Sequence, residues 1–455
     1  MFARKKVDAT QGPLLKLIFS FAIPLMLTTI AQDLFNIADK AVLGNMAGNT
    51  AVAAVGATGT ITSLIINGAV GLSTGTSIVL ARFIGQKNEK NIRTTIDTAL
   101  LTSVMLGVIV AVAGVILAPF FLTATNCPKE CYDGALLYIR IYISAAPFTL
   151  LYNYSAAILR TLGDTQRPLM YIITGGIVNV VLNVILCLIL PQKVAAVAIA
   201  TVASKIISAF LATRRLCRLE DSTRVSIPKM RFDLKSFALI FRFGIPVSVS
   251  NMILPFANLQ IVSAINSFGV DAVAGFSASS SAGSIIGAIA AGFGSATTTF
   301  MGQNIGAKNV DRVKKSFWYS LGLNVLISGA LGVLVFLSGR LWIGLIIGFD
   351  ATAAIEYGMI RMFYVTLFMF ISAANRSFNG ALQAFGYPFL TSVSNIVFSL
   401  GFRILWMQLI YPKSPTFSMI NACFTVSWTL NMIFYGIFFA FVYTRYVKKG
   451  ICKKI

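Results

Sequence analysis

Asp33, Asn36, Asp39 and Lys40 interrupt a long apolar run near the start of the chain, in FAIPLMLTTIAQDLFNIADKAVLG. On a helix, Asp33, Asn36 and Lys40 share one face, and Asp39 neighbours Asn36 at i, i+3. A charge at mid-bilayer costs about 2.5–3.5 kcal/mol on insertion scales, so such residues turn to a cavity or to a partner. Two chemistries follow. The carboxylates can neutralise the lysine, or one of them can bind and release a proton or cation in a watery cavity. The second reading makes Asp39 the ion-coupling acid, with Asn36 beside it and with Asp33 and Lys40 lining a substrate cavity. Asn179 and Asn183 stand at i, i+4 in a later apolar run. Their amides can hydrogen-bond a carboxylate or offer carbonyl oxygens to a cation, completing the ion-coupling set; bridging neighbouring helices is their other use. Lys205 and Arg403 lie too centrally in their runs for easy snorkelling to water, and they join the substrate cavity. Arg376 is a third basic residue inside a run.

These side chains need rigid supports, and the sequence supplies helices that cross a membrane. Of 455 residues 57% are hydrophobic and 11% are charged, against about 25% charged in ordinary soluble domains. Twelve apolar runs of spanning length lie near 14–43, 51–83, 94–122, 134–160, 168–190, 194–217, 237–265, 272–304, 314–347, 355–384, 389–411 and 416–446. They are too long and unbroken for barrel strands. The expected fold class is an all-α integral membrane protein of twelve transmembrane helices. The longest polar link is 218–236, which divides the chain into a six-helix lobe at 1–217 and another at 237–455.

The net charge of +22 need not mean nucleic acid. Twenty-seven of the 37 Lys and Arg residues fall in the termini and the even-numbered links, five fall on the opposite side, and five lie inside spans. Such a split is the positive-inside pattern. It predicts a multi-pass protein of the cell inner (plasma) membrane with both termini cytoplasmic, no nucleic-acid partner, and a first helix retained as an uncleaved anchor.

The chain also repeats itself. FSFAIP at 19–24 matches FRFGIP at 241–246, and MAGNTAVAAVGA at 46–57 matches SFGVDAVAGFSA at 267–278. Gly85-Gln86-Lys87-Asn88 matches Gly306-Ala307-Lys308-Asn309, Arg140 matches Arg361, Leu159 to Gly163 matches Leu382 to Gly386, and Pro168 matches Pro388. With six helices per half, the two lobes run the same way through the membrane and are related by a pseudo-twofold along its normal. Arg140 and Arg361, at equivalent positions, read as structural, with Glu356 close enough along the helix to pair with Arg361. Pro24 and Pro246 permit bends or close packing, with a hinge as the alternative. Cys127 and Cys131 share one outer link, either as a tight disulfide or as two free thiols. There is no histidine, no paired CxxC, no phosphate loop and no nucleophile motif, so neither a metal site nor an enzyme is expected.

Taken with the repeat, several segments resemble the multidrug and toxic compound extrusion (MATE) family: the first helix with its N-x-x-D pattern, LRTLGDTQRPLM after the fourth span, ARFIGQKN and MGQNIGAKN at the ends of the second and eighth. INSFG after the seventh span is similar to the DinF-like branch. The resemblance implies a secondary active antiporter that exports small drug-like or metabolite molecules by alternating access, driven by H⁺ or Na⁺ entry, with no cofactor and one chain sufficient. It implies Asp39 as the coupling carboxylate and Asn179 and Asn183 as lining the N-lobe cation site. Many DinF-like members carry Asp where this chain has Asn183, Thr where it has Lys40, and Gln where it has Lys205. These departures make the site less acidic and predict weak Na⁺ binding. An alternative is a lipid-linked or anionic-substrate flippase or exporter of the same superfamily, in which Lys40, Lys205 and Arg403 counter the anion.

Overall fold

The computed structural model describes residues 8–125, 127–219 and 223–449. The basic terminal residues Arg4, Lys5, Lys6, Lys453 and Lys454 lie outside them, as does the side chain of Lys40. The helices are α1 (Leu14–Ala47), α2 (Asn49–Ala57), α3 (Gly59–Gly85), α4 (Glu89–Ala124), α5 (Lys129–Ser144), α6 (Ala146–Thr161), α7 (Gln166–Ile189), α8 (Lys193–Cys217), α9 (Leu234–Ala257), α10 (Leu259–Asn266), α11 (Val270–Gly306), α12 (Val310–Leu337), α13 (Gly339–Ile347), α14 (Thr352–Arg361), α15 (Met369–Ala384), α16 (Pro388–Asn395), α17 (Phe402–Leu405) and α18 (Phe417–Lys449). Wider π-helical turns at Met362–Thr366, Ile396–Gly401 and Trp406–Ile410 carry the chain through α14–α15 and α16–α17. Among the described residues there is no strand.

Among the described residues eleven helical stretches are long and apolar enough to span a membrane, and α5 with α6, bent by 46° at their junction, makes a twelfth if the pair is counted as one broken span. The bend has a local cause. Pro147 stands in the first turn of α6, where it cannot extend the hydrogen-bond ladder of α5.

The internal repeat is written into the backbone. Among the described residues, three pairs of left-handed residues recur at matched places: Gly48 and Gly269 before α2 and α11, Lys87 and Lys308 after α3 and α11, Gly163 and Gly386 after α6 and α15. The Lys pair explains the doubled G-x-K-N motif. Lys87 (φ 54°) and Lys308 (φ 57°) stand just past a helix end, where Asn88 N–H reaches Phe83 O at 3.1 Å and Asn309 N–H reaches Asn304 O at 2.9 Å. Each Asn then caps the next helix, its side-chain oxygen accepting from Asn91 N–H or Arg312 N–H at 3.1 Å. A non-glycine residue held left-handed costs roughly 1–2 kcal/mol. Lys308→Gly is therefore expected to raise the thermal midpoint, and Asn309→Ala, which removes a cap of about 1 kcal/mol, to lower it. Thermal unfolding of the two detergent-solubilised variants checks both signs.

Two compact units divide the described chain. One holds Leu27–Ser248; the other holds Asp8–Met26 together with Val249 onward. This differs from the expected division at 218–236, and packing supplies the reason. The link belongs with the first unit: Leu219 and Val225 are buried, and Asp233 N–H donates to Thr98 Oγ1 at 3.0 Å. Asp233 in turn accepts from Ser236 N–H at 2.7 Å as the α9 cap, and those hydrogen bonds hold its carboxyl below the usual range. The first half of α9 then lies against α3 in near-backbone contact. A Cβ on Gly71 would stand 2.3 Å from Ser248 Cα, and one on Gly75 would stand 2.4 Å from Ile240 O. In the second unit, the chain before and within early α1 packs against α11 and the first turn of α12. Asn304 Nδ2 and Arg312 Nη2 both donate to Ala9 O at 3.0 Å, Phe21 meets Phe300 edge-on at 5.5 Å, and Gly292 leaves room for Met26. Pro24 and Pro246 each lie two residues before the point where their helix passes from one unit to the other.

Candidate functional site

Three helices of the first unit are brought together by small residues. Gly175 and Gly176 are adjacent on α7. A Cβ on Gly175 would collide with Ser208 Oγ of α8 at 2.2 Å, and one on Gly176 with the Phe35 ring of α1 at 2.0 Å. Close approach through such positions is how membrane helices associate when hydrophobic segregation is not available to drive them. It sets the later part of α1 and the middle of α8 against α7.

Helix α7 carries the predicted amides. Asn183 Nδ2 donates to Asp39 Oδ1 at 2.5 Å and also lies 3.4 Å from Asn179 Oδ1. Asn179 Nδ2 donates to Thr201 Oγ1 of α8 at 3.4 Å, and the Thr201 hydroxyl donates to Val197 O at 2.9 Å. The result is a polar chain across three helices, Asp39–Asn183–Asn179–Thr201. Asn179 and Asn183 are buried, while Asp39 keeps partial access. Asn183 Oδ1 is buried without a hydrogen-bond partner, so this amide holds one acceptor in reserve.

The surroundings sharpen the chemistry. Lys205, one turn beyond Thr201, lies within electrostatic range of Asp39 but makes no ion pair with it; the ion pairs among the described residues both fall on Asp164, with Arg167 at 2.6 Å and Arg215 at 3.9 Å. Tyr138 and Tyr142 of α5, stacked at 5.9 Å, also lie within range of Asp39. They belong to a buried cluster with Cys187, Val197 and Leu43, the last of these one helical turn past the acid.

Of the residues expected from sequence, Asp39, Asn179 and Asn183 thus form one network, with Lys205 beside it. Asn36 and Asp33 are exposed on α1 and have no hydrogen-bond partner among the described residues. The Lys40 side chain is outside the described set. Arg403 belongs to the second unit, where it is buried; its Nη1 donates to Asn258 Oδ1 at 3.0 Å and its Nε to Ser427 Oγ at 3.3 Å. One structural expectation fails. Glu356 is exposed and makes no ion pair with Arg361, because Arg361 turns inward over the Phe276 ring at 4.1 Å. Arg140, its repeat partner, is exposed, so the two matched positions differ in their surroundings. Cys127 and Cys131 are free thiols with sulfurs 3.9 Å apart. Thr201, Tyr138 and Tyr142 were missed. The i, i+4 spacings of Thr201 with Lys205 and of the two tyrosines would have put each pair on one helix face. No group of three or more Cys, Asp or Glu residues that could hold a metal occurs among the described residues. A cavity of about 260 Å³ near Glu130, Cys131 and Lys193 includes none of the expected site residues.

Comparison with known proteins converges on one family. The MatE family model matches residues 24–185 and 246–407, one match in each half of the chain. Probable multidrug resistance protein YpnP of Bacillus subtilis is 28% identical over 445 residues, 97% of either chain. Probable multidrug resistance protein YoeA of the same organism is 26% identical over 363 residues, 78% of either chain. A solved structure described as the outward-facing conformation of a multidrug resistance MATE family transporter of the MOP superfamily superposes with a TM-score of 0.88 over 100% of both chains, at 21% identity, a likeness of fold. With most of its length matched by the family model in two halves, and with eleven or twelve candidate spans among the described residues, the protein belongs to the MATE family of multi-pass membrane transporters and is not an enzyme.

Proposed function

We propose that the protein is a secondary antiporter of the cell membrane that exports small drug-like or metabolite molecules by alternating access, with H⁺ as the coupling ion and Asp39 as the group that carries it. The observation that carries this reading is the 2.5 Å contact from Asn183 Nδ2 to Asp39 Oδ1. An ionised Asp39 accepts from the amide nitrogen. A protonated Asp39 would donate instead, and rotation of the same amide would offer it Oδ1, the acceptor now without a partner. One side chain can therefore satisfy both protonation states. A sodium ion needs several oxygen ligands and is repelled by the nearby Lys205; the site offers one carboxylate. Coupling requires only that proton and exported compound favour different conformations. The relatives named as multidrug resistance proteins support an exporter of small compounds.

The test is transport in proteoliposomes of the full chain with an imposed pH gradient and, separately, an imposed Na⁺ gradient, against aromatic compounds bearing a quaternary ammonium, a zwitterion or an acid. Export driven by the pH gradient is expected; no gradient-driven movement of any compound would overturn the reading. Asn183→Asp places a second acid against Asp39 and is expected to confer at least a several-fold response to Na⁺. An unaltered Na⁺ and pH response would separate α7 from the coupling site.

A further inference from the structure

The second unit contains a polar centre of opposite sign. Arg361, at the end of α14, and Arg403, in α17, are both buried. They share the ring of Phe424 on α18: the Arg403 guanidinium carbon stands 4.4 Å from its centroid and that of Arg361 stands 5.3 Å from it. Their polar partners are all neutral. Arg361 Nη1 donates to Asn421 Oδ1 at 3.4 Å, and Arg403 donates to Asn258 and Ser427. Among the described residues no Asp or Glu oxygen lies within 4.0 Å of either guanidinium. π-helical turns flank both, Met362–Thr366 directly after Arg361 and Ile396–Gly401 and Trp406–Ile410 on either side of α17. Such turns are frequent at functional sites.

A guanidinium stays charged in a protein. Two buried like charges with no counter-charge are unfavourable, and contact with aromatic rings offsets only part of that cost. The donors left over have not been sealed away: no nitrogen of either side chain is among the buried polar atoms lacking a partner. Asn258, which Arg403 touches, is exposed at the break between α9 and α10. The repeat adds an independent argument. The offset that pairs Pro168 with Pro388 also pairs Asn183 with Arg403, and the offset that pairs FSFAIP with FRFGIP pairs Asn36 with Asn258. The position that faces an acid in the first unit holds a fixed cation in the second.

We infer that Arg361 and Arg403, with Asn258 and the rings of Phe424 and Phe276, form a binding site for an aromatic compound bearing a carboxylate or phosphate. The planar forks match either oxyanion, and the rings receive the apolar body. This deepens the export reading by naming a substrate class and rests on it, yet binding can be measured without transport. Trp428 stands 6.2 Å from Phe424 and provides an intrinsic fluorescence reporter.

The experiment titrates the purified full chain with benzoate, phenyl phosphate and benzyltrimethylammonium, following tryptophan fluorescence and the thermal midpoint. Saturable binding of benzoate or phenyl phosphate is expected, weakened at least tenfold in Arg403→Gln and in Arg361→Gln and retained in Asp39→Asn. Retention there together with lost export would separate this site from the coupling site. Should a Gln variant fail to fold, Arg403→Lys, which keeps the charge but loses the fork, and Asn258→Leu at its exposed position are expected to weaken both anions several-fold. No saturable response to either anion, equal affinity in the Arg variants that fold, or unchanged affinity in both Arg403→Lys and Asn258→Leu would overturn the proposal. A response to dihexanoyl phosphatidylglycerol with none to phenyl phosphate or benzoate would assign the site to a lipid headgroup and overturn it equally.

Discussion

Asp39→Asn is expected to abolish uphill efflux in proteoliposomes, a loss of more than about tenfold, while the protein still folds and still equilibrates its substrate down a gradient. The substitution keeps the shape of the side chain, and the new amide oxygen can still accept from Asn183 Nδ2, the bond that holds α1 to α7 at 2.5 Å. On the proposed reading, what disappears is the group that changes protonation; without it, proton binding would no longer distinguish the conformations, and a gradient would have nothing to act on. Stability should change by less than about 1 kcal/mol, since no buried partner is orphaned. Efflux under an imposed pH gradient and counterflow without one are the paired measurements; unchanged uphill efflux would remove Asp39 from the mechanism.

Gly275→Val is expected to have the largest effect on folding. A Cβ at Gly275 on α11 would lie 2.1 Å from Ala354 O and 2.8 Å from Gly358 N on α14. Both are backbone atoms of a packed helix, so no rotamer change relieves the clash. Overpacking typically costs 1–3 kcal/mol, occasionally more, and here a destabilisation of about 3 kcal/mol is expected. Gly322 on α12 is the control: nothing lies within 4 Å of its Cβ direction, and Gly322→Ala should stabilise by up to about 1 kcal/mol through helix propensity. Size-exclusion profile and thermal midpoint in detergent compare the two. Equal behaviour would contradict the packing described for α11 and α14.

The helices were legible because their signal is local. An apolar run of spanning length announces itself, and the doubled G-x-K-N and G-D-T-x-x-P segments mark helix ends whose left-handed residues and caps are short-range. Part of the site was legible for the same reason: Asn179 and Asn183 are i, i+4, and a carboxylate in an apolar run needs a partner. That the partner of Asp39 is Asn183 joins residues 144 positions apart, and spacing along one helix cannot select among helices. The hidden features depend on which face a helix turns inward. Arg140 and Arg361 occupy matched positions, yet one is exposed and the other is buried on aromatic rings. Glu356 is near Arg361 in sequence but on the exposed side. The division into compact units was likewise hidden, because it depends on Gly71, Gly75 and Gly292 admitting the first half of a helix that the sequence order assigns to the other half.

Linkage makes coupling reciprocal: if a proton gradient drives the exported compound, a gradient of that compound must drive protons. The most direct measurement loads proteoliposomes with a pH-sensitive dye, imposes only a substrate gradient, and follows the internal pH in the wild-type chain and in Asp39→Asn. Proton movement opposite to the substrate in the wild type, absent in the variant, is the predicted result. Substrate flux without proton movement in the wild type, or proton movement that survives in Asp39→Asn, would contradict a coupling carboxylate on α1.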